Sequence, residues 1–103
     1  MERIATTLPP ALEIASDPEV VGCTLGEGSA LLNLRTNIYY SLNAVGAFVW
    51  DRLVEAGAER VTFAALVAAV REAYDAPVDV VEADIARLVT DLEAAGLVRC
   101  TRG

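Results

Sequence analysis

The carboxylates Glu82, Asp84, Asp91 and Glu93 form the densest set of potentially reactive side chains in the sequence. Brought together, such groups would hold a cation or share general acid–base work. Their spacings instead scatter them around a helix, the pattern of a solvated face. A nucleophile with its base is missing by composition. The sequence has no histidine, and its eight basic residues are all arginine, so neither His nor Lys can activate Ser29 or Ser41. Gly26-Glu27-Gly28 has the glycines of a phosphate loop, but no Lys follows and no helix opens directly behind it; it reads as a tight turn in which glycine supplies positive φ. Cys23 and Cys100 lie far apart in no metal-ligand spacing, and in a reducing cytosol buried thiols are the default. These residues imply no metal, no cofactor and no enzymatic activity in this chain alone.

The bulk properties narrow the function classes. At 103 residues the chain is one domain with a small core. Net charge is −7, from 15 acidic and 8 basic residues. Nucleic-acid binding requires a positive footprint, and none is visible. The acidity favours a basic or neutral partner, or simply solubility. A hydrophobic fraction of 54% is rich for a soluble chain and points to some exposed apolar surface. No apolar run approaches the ~18 residues of a membrane span. Met1 to Thr7 lacks the apolar core of a signal peptide, so a cytoplasmic protein is expected.

The elements that must position any site follow from periodicity. Residues 1–18 read as an N-terminal arm carrying a short edge strand within Ala11 to Ser16; residues 19–103 read as a single domain. Val20 to Leu25, with Val21, Cys23 and Leu25 on one face, begins a three-stranded antiparallel meander that continues through Ala30 to Leu34 and Ile38 to Leu42. Arg35-Thr36-Asn37 turns between the last two strands. Asn43 stands where a side-chain oxygen caps a helix over Ala44 to Ala56, ended by Gly57. Thr62 caps a second helix, Phe63 to Tyr74, with Phe63, Leu66, Val67, Val70 and Tyr74 inward. Ala76-Pro77 breaks the chain. Asp79 and Glu82 have capping-box spacing for a third helix, Val80 to Ala95, with Gly96 beyond its end. Leu97 to Cys100 reads as a strand closing the core. Strands followed by three helices give an α+β chain, a winged helix-turn-helix with a three-stranded antiparallel sheet.

That outline raises DNA binding, but the third helix offers Arg87 as its only basic residue against four acids and would repel phosphates. What remains is a surface. A small sheet has edges, and an edge accepts an extended peptide as an added strand. Ile38 to Leu42 is the candidate, with Ile38, Tyr40 and Leu42 on one face and Tyr39 and Ser41 on the other. Asp84, Arg87, Leu88 and Asp91 form the exposed line of the third helix that such a peptide could touch. Equally, both tyrosines could be plain core or rim residues.

The stretch from Ala30 to Trp50 contains a leucine-rich strand ending in Asn, a short turn, Tyr-Tyr-Ser-Leu-Asn, then Ala-Val-Gly-Ala-Phe-Val-Trp. It resembles the PqqD-like family, especially its stand-alone members in lasso-peptide pathways. Glu72-Ala73-Tyr74-Asp75 and Ala95-Gly96-Leu97-Val98 extend the likeness over roughly Val20 to Val98. Asn37 departs from the pattern, where a Gly is common, but Asn also tolerates positive φ. The resemblance implies a recognition element that binds the leader of a ribosomally made precursor peptide as a strand beside the third strand of the meander, against the third helix. By position, Asn37, Ile38, Tyr39, Tyr40, Ser41 and Leu42 would bind, with Asp84, Arg87, Leu88 and Asp91 as the groove wall. It further implies a transglutaminase-like leader peptidase and an ATP-dependent macrolactam synthetase as partners. The alternative is an acidic winged-helix interaction module with no leader ligand.

Overall fold

The computed structural model describes residues 8–101. Residues 1–7 of the expected N-terminal arm lie outside the described residues. Strands β1 (Glu13–Ser16), β2 (Val20–Leu25), β3 (Gly28–Asn33) and β4 (Tyr39–Leu42) precede helix α1 (Ala44–Ala56) and a 3₁₀ turn at Gly57–Glu59. The two-residue strand β5 (Val61–Thr62), helices α2 (Phe63–Ala73) and α3 (Val78–Ala94), and strand β6 (Val98–Thr101) complete the chain.

Two three-stranded antiparallel sheets result. One is the expected meander, β2-β3-β4. The other has the order β5-β1-β6. The segment read as an edge strand is therefore the middle strand of the second sheet, with Ile14 opposite both Val61 and Cys100. Its short alternation concealed this, because both partners come from the far end of the chain. Leu12 and Ile14 are buried in one cluster with Leu31, Leu53, Phe63, Leu66, Ile85, Leu92 and Leu97. The chain just before β1 also serves α2: Phe63 and Ala64 donate their N–H groups to the carbonyls of Leu12 and Pro10. These are donors that a first helical turn leaves unpaired.

The helix ends show which local signals hold. The Asn43 side chain accepts from the Gly46 N–H at 2.9 Å, and Thr62 Oγ1 accepts from Ala65 N–H at 3.1 Å, as their positions predict. The expected capping box on α3 does not form. The helix begins at Val78, and the residue before it is Pro77, which makes no side-chain cap. Pro77 stands at the N-cap with an extended ψ of 146°, Val78 opens the helix, and Asp79 falls within its first turn. At the other end Gly96, at φ +77°, donates to Glu93 O and Leu97 N–H donates to Leu92 O. This pair of bonds is a Schellman stop, and it turns the chain directly into β6. Tyr74 ends α2 partly exposed rather than inward, with its ring edge-on to Phe48 at 5.8 Å. No disulfide joins Cys23 to Cys100.

Candidate functional site

The wing sheet has two different faces. Leu31 and Leu42 are buried, and Tyr40 packs against the same core. The opposite face carries Val21, Leu32 and Tyr39 in one cross-strand row. Val21 and Tyr39 are 50% and 61% exposed, so this face is open to solvent. Val21, Cys23 and Leu25 do share one face of β2, as their alternation predicts, but that face is the outer one.

Among the described residues, strand β4 pairs with β3 alone. The Asn33 N–H donates to Ile38 O at 2.9 Å, and this sets the alternation. The Ile38 carbonyl and the backbone polar groups of Tyr40 and Leu42 point to β3. Tyr39 and Ser41 then direct theirs to the open side. Beside that open side runs a groove of about 360 Å³ between β4, the start of α1 and α3. Tyr40, Ser41 and Leu42 line one wall; Asp84, Ile85, Arg87, Leu88 and Asp91 line the other. Asn43, Val45 and Gly46 close one end. Seven of the ten residues expected from the sequence thus meet around one groove.

The other three do not reach it. Asn37 sits in the turn at φ +63°. Ile38, 41% exposed, precedes β4, and its N–H donates to Thr36 Oγ1. Tyr39 points to the outer face, because side chains alternate along a strand. Sequence reasoning did not place Asn43, Val45, Gly46 or Ile85 at the site. Ile85 is almost fully buried in the core, and its position between Asp84 and Leu88 also leaves it lining the groove.

Burial is the main cause that raises the Tyr40 phenol above its usual range, and the nearby negative charge of Asp91 adds to it. Tyr40 therefore stays neutral and presents a hydroxyl beside a carboxylate. Nothing in this set is a nucleophile with a base, and among the described residues no group of His, Cys, Asp and Glu is arranged to hold a metal. What the groove offers is an open strand edge, apolar side chains and three charges.

Two residues outside the groove hold β4 in place. Asn33 is fully buried at the end of β3. Its Oδ1 accepts from Arg35 N–H at 2.8 Å and Thr36 N–H at 3.2 Å, and its Nδ2 donates to Gly96 O at 2.8 Å. One side chain thereby forms the turn into β4 and ties it to the end of α3. The signal was visible, since an amide interrupting a leucine run before a turn is an Asx-turn former. Gly28 is the other. A Cβ there would lie 2.0 Å from Leu42 O. Glycine is needed at this position for close strand approach, whereas the positive φ of the turn belongs to Gly26.

Comparison with known proteins places this architecture. The profile of the family described as coenzyme PQQ synthesis protein D (PqqD) matches residues 28–98, which include the hairpin, all three helices and the groove. The chain belongs to the PqqD family. Two solved structures are similar to this PqqD-family chain. One is TbiB1 in complex with the TbiA(beta) leader peptide, at 25% identity and a TM-score of 0.74, covering 86% of this chain and 99% of that one. The other is lasso peptide synthetase B1 complexed with the leader peptide, at 28% identity and a TM-score of 0.68, covering 84% of this chain and 98% of that one. No curated protein sequence matches the chain. The likeness extends over nearly the whole of both solved chains. Among the described residues no helix is long and apolar enough to cross a membrane.

Proposed function

We propose that the protein is a non-catalytic adaptor that binds the leader segment of a ribosomally synthesised precursor, of the lasso-peptide class, and presents it to maturation enzymes. The observation that carries this reading is the unpaired edge of β4 facing a groove along α3. It occurs in a fold shared with two solved relatives that are each described in complex with a leader peptide. The leader adds as a strand beside Tyr39 to Leu42, using the outward backbone groups of Tyr39 and Ser41 for main-chain hydrogen bonds. Its inward side chains meet Leu42, Val45, Ile85 and Leu88. Backbone bonds give affinity, and the side-chain pockets give selectivity.

The partners are a transglutaminase-like leader peptidase and an ATP-dependent macrolactam synthetase. The outer face of the wing, with exposed Val21 and Tyr39 flanking half-buried Leu32, supports docking of the peptidase there, because apolar exposure can mark an interaction surface. Such docking leaves the groove side to the leader. The deciding experiment titrates the protein into a fluorescently labelled leader from the precursor of its own pathway and follows anisotropy. Saturable binding at micromolar or tighter concentration, abolished by scrambling the leader, supports the adaptor. A folded protein that does not bind its own leader refutes it.

A further inference from the structure

Three charged residues, Asp84, Arg87 and Asp91, line the groove. Elsewhere, Arg35 and Arg99 pair with Asp17, Arg52 with Glu55, and Arg60 with Glu13. Asp84, Arg87 and Asp91 form no salt bridge among the described residues, although Arg87 and Asp91 stand at a helical spacing that permits one. All three are exposed, and all three line the groove. Along α3 they present the order negative, positive, negative.

Their spacing has a counterpart in an extended chain. Four residues of helix separate Arg87 from Asp91, an axial rise of about 6 Å. Same-face side chains of a strand repeat every two residues, at roughly 6.7 Å. A strand lying along α3 therefore sets one side chain opposite Asp91 and its neighbour two residues away opposite Arg87. Tyr40 adds a neutral hydroxyl at the Asp91 end.

We propose that the groove reads charge as well as shape. A bound leader places a basic side chain against Asp91 and Tyr40, and an acidic side chain two residues away against Arg87. This rests on the leader-binding reading above and specifies its selectivity. Charge pairs across an interface govern partner choice and association rate more than affinity. The pattern thus separates this protein's own leader from leaders with the opposite order.

The test uses the labelled leader of the pathway's own precursor, with wild-type protein and the variants Asp91→Asn, Arg87→Gln and Glu93→Gln. Glu93 is exposed on the opposite side of α3 and serves as the control. Asp91→Asn and Arg87→Gln should each weaken binding roughly three- to tenfold at low salt, the scale of partly exposed ion pairs. Glu93→Gln should leave it unchanged. Added salt should reduce wild-type affinity more than that of either variant. The paired variant Arg87→Glu with Asp91→Arg should prefer a leader whose two facing charges have been exchanged. Tight wild-type binding with no effect of either variant overturns the charge reading and leaves leader binding intact. No wild-type binding overturns both.

Discussion

Asn33→Ala should destabilise the whole domain and loosen the groove without altering any residue that lines it. The side chain is fully buried and makes three hydrogen bonds, two at 2.8 Å and one at 3.2 Å. Each such bond contributes about 1 kcal/mol net, and a buried group left unpaired costs about 1–3 kcal/mol. The Arg35 and Thr36 N–H groups lie in an exposed turn and can turn to water. The Gly96 carbonyl is less free, because it sits at the Schellman stop between α3 and β6. The total is therefore about 2–4 kcal/mol, from a domain stability on the order of 5–15 kcal/mol. Urea denaturation followed by circular dichroism measures it. The midpoint should fall with the slope unchanged, since the same surface is exposed on unfolding. Leader affinity, measured where the variant is still folded, should fall as well, because the tie between the β3–β4 turn and α3 is lost. A loss below about 0.5 kcal/mol would mean that the amide is incidental and that apolar packing alone positions β4.

Gly28→Ala forces a methyl against Leu42 O, so β4 must shift; backbone amide exchange in Tyr40 and Leu42 should accelerate, and leader binding should fall at least tenfold, whereas native exchange rates would contradict the close approach. Asp17 is buried and holds its carboxyl below the usual range, chiefly by accepting the Glu19 N–H against opposing desolvation, with help from Arg35 and Arg99. Since its folded pKa is the lower one, its stabilisation is present above the unfolded value near 3.8 and is lost as pH falls through the folded value. Asp17→Asn should cost about 1–2 kcal/mol at neutral pH and flatten the acid limb of a stability–pH curve; a variant with an unchanged acid limb would refute this. In an alkaline titration of phenolate absorbance, the late-titrating tyrosine should disappear in Tyr40→Phe and move earlier in Asp91→Asn. Tyr40→Ala should weaken leader binding, while Tyr39→Ala should spare it apart from effects on main-chain pairing; the reverse result would place the leader on the outer face.

The parts of the fold visible in the sequence are those set by local chemistry. Asn43, Thr62 and Gly96 mark helix ends because their own side chains or backbone freedom satisfy neighbouring groups. The β2–β3–β4 meander was legible for the same reason, since its turns are short and its partners adjacent. The second sheet was not. Strand β1 gains its partners from Val61–Thr62 and Val98–Thr101, and nothing within Glu13–Ser16 encodes pairing with residues that distant. The α3 start differs because Asp79 and Glu82 offer cap spacing in the sequence, whereas the extended Pro77 is the residue that precedes the first helical turn, which already contains Asp79. For the groove, a period of two placed Tyr40 with Leu42 and apart from Tyr39. Which of the two faces pointed inward depended on the helices, and only their packing decides it.

An unpaired strand edge beside an apolar groove should invite self-association, but the surroundings of β4 oppose it. The strand is only four residues long, and α3 stands beside its open edge rather than leaving it flat. A single extended peptide can enter between them. The β4 edge of a second copy cannot enter so easily, because it brings its own β3 and its own α3. That second helix would set Asp84 and Asp91 near the same residues of the first, in a chain already carrying −7. Like charges brought together across an interface disfavour it. Sedimentation of the leader-free protein should therefore report a monomer at micromolar concentration. A dimer that dissociates on adding leader would show instead that the edge selects a strand without regard to what that strand carries with it.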